Sequence, residues 1–195
     1  MADFLALFTE INIRLVLADR NVHLIDDHVD MAVRIGKLPD STLVATRIGV
    51  MRTVICASPA LLASHGTPKT PSDLLRFPSV MFDTPLPSSG WQFRAPDSAT
   101  ALEIQPHPRL WLTTAEAAVH AAIRSVGVTR LFYYQVAEAI DAGALQIVLD
   151  AFEPEPVPVN LVHASRGHMP LKMRCFLDFA APRLREALGR LNLSR

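Results

Sequence analysis

Between Asp30 and Pro59 the chain reads DMAVRIGKLPDSTLVATRIGVMRTVICASP, and this order of apolar runs and breakers restricts the fold more than any other segment. Met31, Val33 and Ile35 alternate with Ala32 and Arg34, a strand pattern with both faces largely apolar. Gly36 with Pro39-Asp40-Ser41 predicts a turn after it. A second strand is expected from Arg52 to Ala57, with the residues before it read as a loop. Ser58-Pro59 closes that strand, because proline disfavours helical geometry in the residue before it yet fits the first turn of a helix, here LLASH. Strand, turn, strand and helix in this order predict an α/β protein with helices packed outside its sheets.

The same reading extends along the chain. Phe4, Leu5 and Phe8 mark the end of a helix, Ile11 to Leu17 alternates as a strand, and Leu24 and Ile25 sit in a short helix. Ala60 to His65 is helical, and a loop punctuated by Pro68, Pro71 and Pro78 follows. Trp91 to Arg94 and Ala101 to Gln105 are expected to form a hairpin around Pro96-Asp97-Ser98, with Leu110 to Leu112 as a further strand. Thr113-x-x-Glu116 has the spacing of a capping box, and Val119, Ala122, Ile123 and Val126 repeat at helical spacing until Gly127. Val128 to Leu131 is a strand, Tyr133 to Ala142 a helix stopped by Gly143, and Val157 to Ala164 the last strand. Pro170 opens a final helix that Pro182 is expected to bend or interrupt. Strands separated by helices imply mostly parallel sheets.

Composition narrows the function classes. With 195 residues and 50% hydrophobic content the chain can bury a sizeable core, in one domain or two small lobes. Nineteen basic side chains balance nineteen acidic ones and are scattered rather than striped, so the surface gains little from counterion release on DNA. Charge or proline breaks every apolar stretch well before the roughly 20 residues of a bilayer helix. Met1 to Phe8 lacks the basic start and cleavage site of a secretory signal, so a cytoplasmic address is expected. Cys56 and Cys175 have no paired spacing and read as reduced thiols rather than a disulfide framework or zinc site. Neither a G-x-S-x-G elbow, S-x-x-K, H-E-x-x-H nor a P-loop occurs, so no catalytic residue and no cofactor is assigned. His23 and Asp27 would share a helix face, but without further ligands they read as polar surface rather than a metal site. His163, Ser165 and His168 lack an oriented acid and an oxyanion hole. Trp91 and Trp111 read as packing residues rather than platforms for bases.

The run DMAVRIG, then DSTL, then a strand ending ASP resembles the effector-binding domain of LysR-type transcriptional regulators, whose pattern here is DVAIRIG, DSSL and ASP. Ile13 to Val29, Pro71-Ser-Asp-Leu74, Trp91-Gln-Phe93, Thr113 to Leu131 and Ser165 to Phe179 follow in the family's order. Two positions depart: Ser125 stands where many relatives have glycine, and Phe132 where proline commonly follows the leucine, both near the expected pocket. The resemblance implies two small α/β lobes of the periplasmic-binding-protein-like type 2 fold, with mostly parallel sheets and a ligand cleft between them. Residues 1–57 and 165–195 would form the first lobe and 58–164 the second, with crossings near Ala57-Ser58 and Ala164-Ser165. It also implies a small-molecule effector, a homodimer, and DNA contact only through an N-terminal helix-turn-helix, which no segment here resembles. In the family a strand and most of a helix precede the position of Met1, so Phe4 to Phe8 is expected to be loosely held. A stand-alone solute-binding protein of the periplasmic type is the second reading.

Within that frame several residues are candidates for the ligand, each with a plainer alternative. Thr113 and Thr114 stand at a helix start, where backbone N–H groups and the positive end of the dipole favour an anion, or where a threonine simply caps. Arg34 ends a strand, where it could grip a carboxylate with two parallel bonds or make a structural ion pair, and Gly36 adjoins it. Ser58 could donate to a ligand or cap the helix after it. Asp19 and Arg20 match the region lining the family's cleft, and a solvated turn would look the same.

Overall fold

The strand alternation at Met31 matures into the first ladder of a computed structural model that describes residues 1–19, 22–38, 43–82, 90–94, 101–164 and 169–193. The Pro39-Asp40-Ser41 turn, Arg20, the hairpin tip Pro96-Asp97-Ser98 and Ser165 to His168 lie outside the described residues. The chain folds as two compact units, residues 1–50 with 157–195 and residues 51–156.

In the first unit β1 (Met31–Ile35), β2 (Leu43–Met51) and β10 (Val157–Ala164) form a three-stranded sheet in the order β1-β10-β2. β1 runs antiparallel to β10, Met31 opposite His163. Helix α5 (Leu171–Leu193) packs on this sheet closely enough that a Cβ on Gly49 would lie 2.9 Å from a Leu188 methyl carbon. Pro182 lies inside α5 without ending it, and it is exposed. A proline forfeits one helical hydrogen bond, which water can replace on an exposed face. Helix α1 (Ala2–Leu7) inserts Phe4, fully buried, edge-on against Phe176 and Phe179 of α5 at 5.1 and 5.2 Å between ring centres. Phe4 therefore departs from the expectation of a loosely held Phe4 to Phe8, because its ring packs against α5, while Leu5 and Leu7 are exposed.

Three other expectations for this unit change. Ile11 to Leu17 forms no ladder among the described residues, and Leu15, Val16 and Leu17 are exposed. Alternation permits a strand, but a strand exists only beside a partner. Leu24 and Ile25 belong to a hydrogen-bonded turn, Val29 N–H donating to Leu24 O at 2.8 Å, and not to a helix. The expected loop before Arg52 is instead the nine-residue β2, whose Thr46-Arg47-Ile48-Gly49 interior gives no clean alternation.

The second unit carries five strands, β3 (Thr53–Ala57), β4 (Pro78–Phe82), β7 (His107–Leu112), β8 (Val128–Phe132) and β9 (Gln146–Val148), in a sheet of order β7-β4-β8-β3-β9. A two-stranded hairpin, β5 (Trp91–Arg94) with β6 (Ala101–Ile104), α2 (Pro59–His65) and a 3-10 turn at Pro71–Arg76 cover one face, where Ile55, Val128, Leu61, Leu74, Trp91 and Phe93 share a core. Alternate residues Val54, Cys56 and Leu131 are buried on the other face, which α3 (Ala115–Ile123) and α4 (Tyr133–Asp141) contact. β4 is parallel to β7 and β8, whereas β3 is antiparallel to β8 and β9, so the sheet is mixed rather than mostly parallel. Pro78 at its start disguises β4 as loop in the sequence, and β9 is too short to show a period.

Ladder partners also relocate the crossings. β3 pairs within the second unit and β10 within the first, so the chain passes between units at Val50-Met51 and Pro156-Val157, one strand earlier each time than Ala57-Ser58 and Ala164-Ser165.

Candidate functional site

Because β4, β7 and β8 run parallel, their carboxyl ends Phe82, Leu112 and Phe132 lie along one edge of the five-stranded sheet, and antiparallel β3 brings Thr53 opposite Phe132 there. Two nine-residue helices open at this edge: α3 directly after β7 through Thr113 and Thr114, and α4 directly after β8. Open α/β sheets bind ligands at such a carboxyl edge, and helix N-termini there present N–H groups and positive partial charge.

At α3 the cap is Thr114 and not Thr113: Ala117 N–H donates to Thr114 Oγ1 at 3.4 Å. The cap thus stands one residue later than the expected Thr113–Glu116 box, Ala117 at the third helical position has no polar side chain to reach back, and Thr113 is exposed between strand and cap. At α4, Phe132 N–H donates to Gln135 Oε1 at 2.9 Å, and the first turn carries no acidic residue to oppose an anion. Tyr133 N–H donates to Arg52 O at 3.0 Å, and the Arg52 guanidinium carbon stands 5.1 Å from the Tyr133 ring centre. Arg52 in turn grips Glu153 with two bonds of 2.9 and 2.8 Å, and this bond to Glu153 raises its pKa above the ordinary arginine value.

Ser58 lies elsewhere in the same unit. Its hydroxyl caps α2, accepting from Leu61 N–H at 3.2 Å, and is 2.7 Å from the hydroxyl of Ser125, just beyond the carboxyl end of α3. The nine residues of α3 rise roughly 13 Å, so Ser58 and Thr114 mark opposite ends of that helix and do not meet in one small pocket. Ser125 adopts φ 62, the left-handed region that glycine enters freely, which accounts for glycine at this position in the resemblance. It ends the helix before Gly127 does, and it too is remote from Thr113. Of the two departures, only Phe132 lies on the carboxyl edge.

Arg34, Gly36 and Asp19 belong to the first unit. The Arg34 guanidinium donates to Val22 O, and Gly36, at φ 116, donates its N–H to Pro158 O at 2.8 Å. Arg20 lies outside the described residues. His23 N–H donates to the Asp27 carboxylate at 2.9 Å, closing a turn. Among the described residues no group of His, Cys, Asp and Glu is placed to hold a metal ion.

Residue types alone did not reveal Arg52, Tyr133 or Tyr134, although Phe132 beside them departs from the family pattern. Burial pushes the Cys56 thiol up to about 12, keeping it protonated and inert. Burial also lowers Arg130 to about 10, against the opposing charge of Glu103, and leaves it a cation at neutral pH. No described helix is long and apolar enough to cross a membrane.

Residues 1–185 match the model of the LysR substrate binding domain. The chain is 27% identical over 188 residues to the HTH-type transcriptional regulator YhjC of Escherichia coli K12, a match covering 96% of the chain and 63% of that protein. It is 26% identical over 177 residues to the HTH-type transcriptional activator AaeR of the same organism, covering 91% of the chain and 57% of AaeR. The chain thus spans about three fifths of these relatives. Among solved structures, the regulatory domain of CrgA from Neisseria meningitidis, a LysR-type regulator, superimposes with a TM-score of 0.79 at 28% identity, covering 94% of this chain and 89% of that one.

Proposed function

Since the chain belongs to the LysR substrate-binding domain family, and so is the effector-sensing domain of a LysR-type regulator with the periplasmic-binding-protein-like fold, we propose that it recognises a small anionic metabolite. The observation that supports an anion is the opening of α3 and α4 at the same carboxyl edge of the second unit's sheet, after strands that flank β4. Each helix start contributes unpaired N–H groups and positive partial charge there. Thr113 would donate from its exposed hydroxyl, Thr114 would hold the α3 terminus in shape, and the exposed Tyr134 ring, backed by buried Phe132, would supply apolar surface for the rest of the metabolite. Arg34, Gly36, Asp19 and Arg20 are ligand candidates on the resemblance alone, and Ser58 would serve by capping α2.

The chain would act as a homodimer in the cytoplasm. Any contact with DNA would come from a helix-turn-helix of the kind that names its relatives, and not from the charge-balanced surface of these residues. Catalysis is not expected. The match to regulators over residues 1–185 disfavours a stand-alone periplasmic solute-binding protein.

A thermal-shift screen of aromatic acids, amino acids and sugar acids tests this reading. A ligand at about 100 times its Kd should raise the melting midpoint by on the order of 5 °C. Thr113→Trp, which leaves the Thr114 cap in place, should abolish that shift and keep the unliganded midpoint. If neutral analogues shift the midpoint as much as the acids, or if Thr113→Trp binds as the parent does, the anion site at this edge is refuted.

A further inference from the structure

We propose that Arg52 and Glu153 form a clasp that binds both chain crossings to the start of helix α4, so that the two leave the second unit together and not independently. The chain enters this unit at Met51 and leaves it at Pro156, so Arg52 is the second residue in and Glu153 the fourth from the end. The sequence separation between them is 101, yet Nε and Nη2 of Arg52 donate to the two carboxylate oxygens of Glu153 at 2.9 and 2.8 Å. Both side chains are largely buried, at 18% and 15% exposure. A two-pronged pair at that depth resists screening and fixes orientation, unlike the exposed pairs of Arg94 with Glu155 or Arg190 with Glu186.

A third contact extends the clasp to α4. Tyr133 N–H donates to the backbone carbonyl of Arg52, and the Tyr133 ring faces the guanidinium. One residue therefore touches the entry crossing, the exit crossing and the first residue of a helix. Beyond Glu153 the exit reads Pro154-Glu155-Pro156, and the two prolines stiffen the stretch, so holding Glu153 also constrains the residues after it. Nothing in this arrangement requires a ligand, and it stands whether or not the carboxyl edge binds an anion.

Hydrogen exchange of the purified chain decides the point. Arg52→Gln should speed exchange roughly tenfold in both the Val50–Val54 and the Glu153–Val159 peptides, while Val128 to Leu131 keeps its protection. Glu153→Gln should do the same from the other side. Arg52→Lys, which keeps the charge but loses the fork, should give a smaller change in both peptides. Acceleration confined to the peptide that carries the substitution, or no acceleration in either, would overturn the clasp. If circular dichroism shows Arg52→Gln to be unfolded, the comparison of Arg52→Lys with Glu153→Gln carries the same two outcomes.

Discussion

Gly127 illustrates how a single residue can be misread for the right reason. Its place after a helical repeat suggests a helix stop, yet Ser125 performs the reversal and Gly127 serves a different need. A Cβ there would lie 2.5 Å from the Pro78 carbonyl oxygen and 2.9 Å from the Ser79 carbonyl carbon, both rigid backbone of the neighbouring strand. Only a residue without a side chain lets β8 begin against β4 in this register. Gly127→Ala should therefore destabilise the second unit by on the order of 3 kcal/mol, read as a lower urea midpoint. A change within about 0.5 kcal/mol, the usual range for an uninvolved surface site, would mean that β4 and β8 can part to admit a methyl group at little cost.

Among the elements, the 3-10 turn at Pro71–Arg76 depends on one carboxylate. Asp73 Oδ2 accepts from the backbone N–H groups of Thr70 and Lys69 at 2.9 and 3.0 Å, while Oδ1 meets Arg76 at 2.7 Å. The Thr70 N–H, then the Lys69 N–H, hold the Asp73 carboxyl below its usual range. A group whose pKa is lower in the folded state contributes stability above its unfolded value, about 3.9, and loses it as pH falls through the folded value. Asp73→Asn removes that titration, so its melting midpoint should fall less than the parent's between about pH 5 and pH 2.5. Parallel acid limbs for the two proteins would mean that the turn is held by its apolar contacts at Leu74 and not by the carboxylate.

Taken as a whole, the molecule exposes apolar surface unevenly. Leu15, Val16, Leu17 and Ile25 of the first unit are all open to solvent, and Leu17 is 86% exposed. A two-fold interface that repeats one patch on both partners would cover such a surface twice over. Light scattering at high concentration should accordingly give the mass of a dimer. Leu17→Asp should give a monomer with an unchanged circular dichroism spectrum, since the side chain makes little contact within its own chain. A monomeric parent, or a dimer untouched by Leu17→Asp, would remove this patch from the interface.

Local chemistry sufficed for the α/β class, for α2 behind Ser58-Pro59, for the β5–β6 hairpin, for α4 stopped by Gly143 and for the last strand and helix, because caps, breakers and periodicity act within a few residues. The order of short motifs likewise carried the family, which the match over residues 1–185 establishes. Tertiary structure alone decided which strands pair. Ile11 to Leu17 has the pattern of a strand and no described ladder, whereas Leu43 to Met51 has a poor pattern and nine residues of strand. It also decided the crossings, the separation of Ser58 from Thr114 along α3, and the meeting of Arg52 with Glu153. Each depends on contacts between residues far apart in the chain, and no local signal encodes a partner that only folding brings within reach.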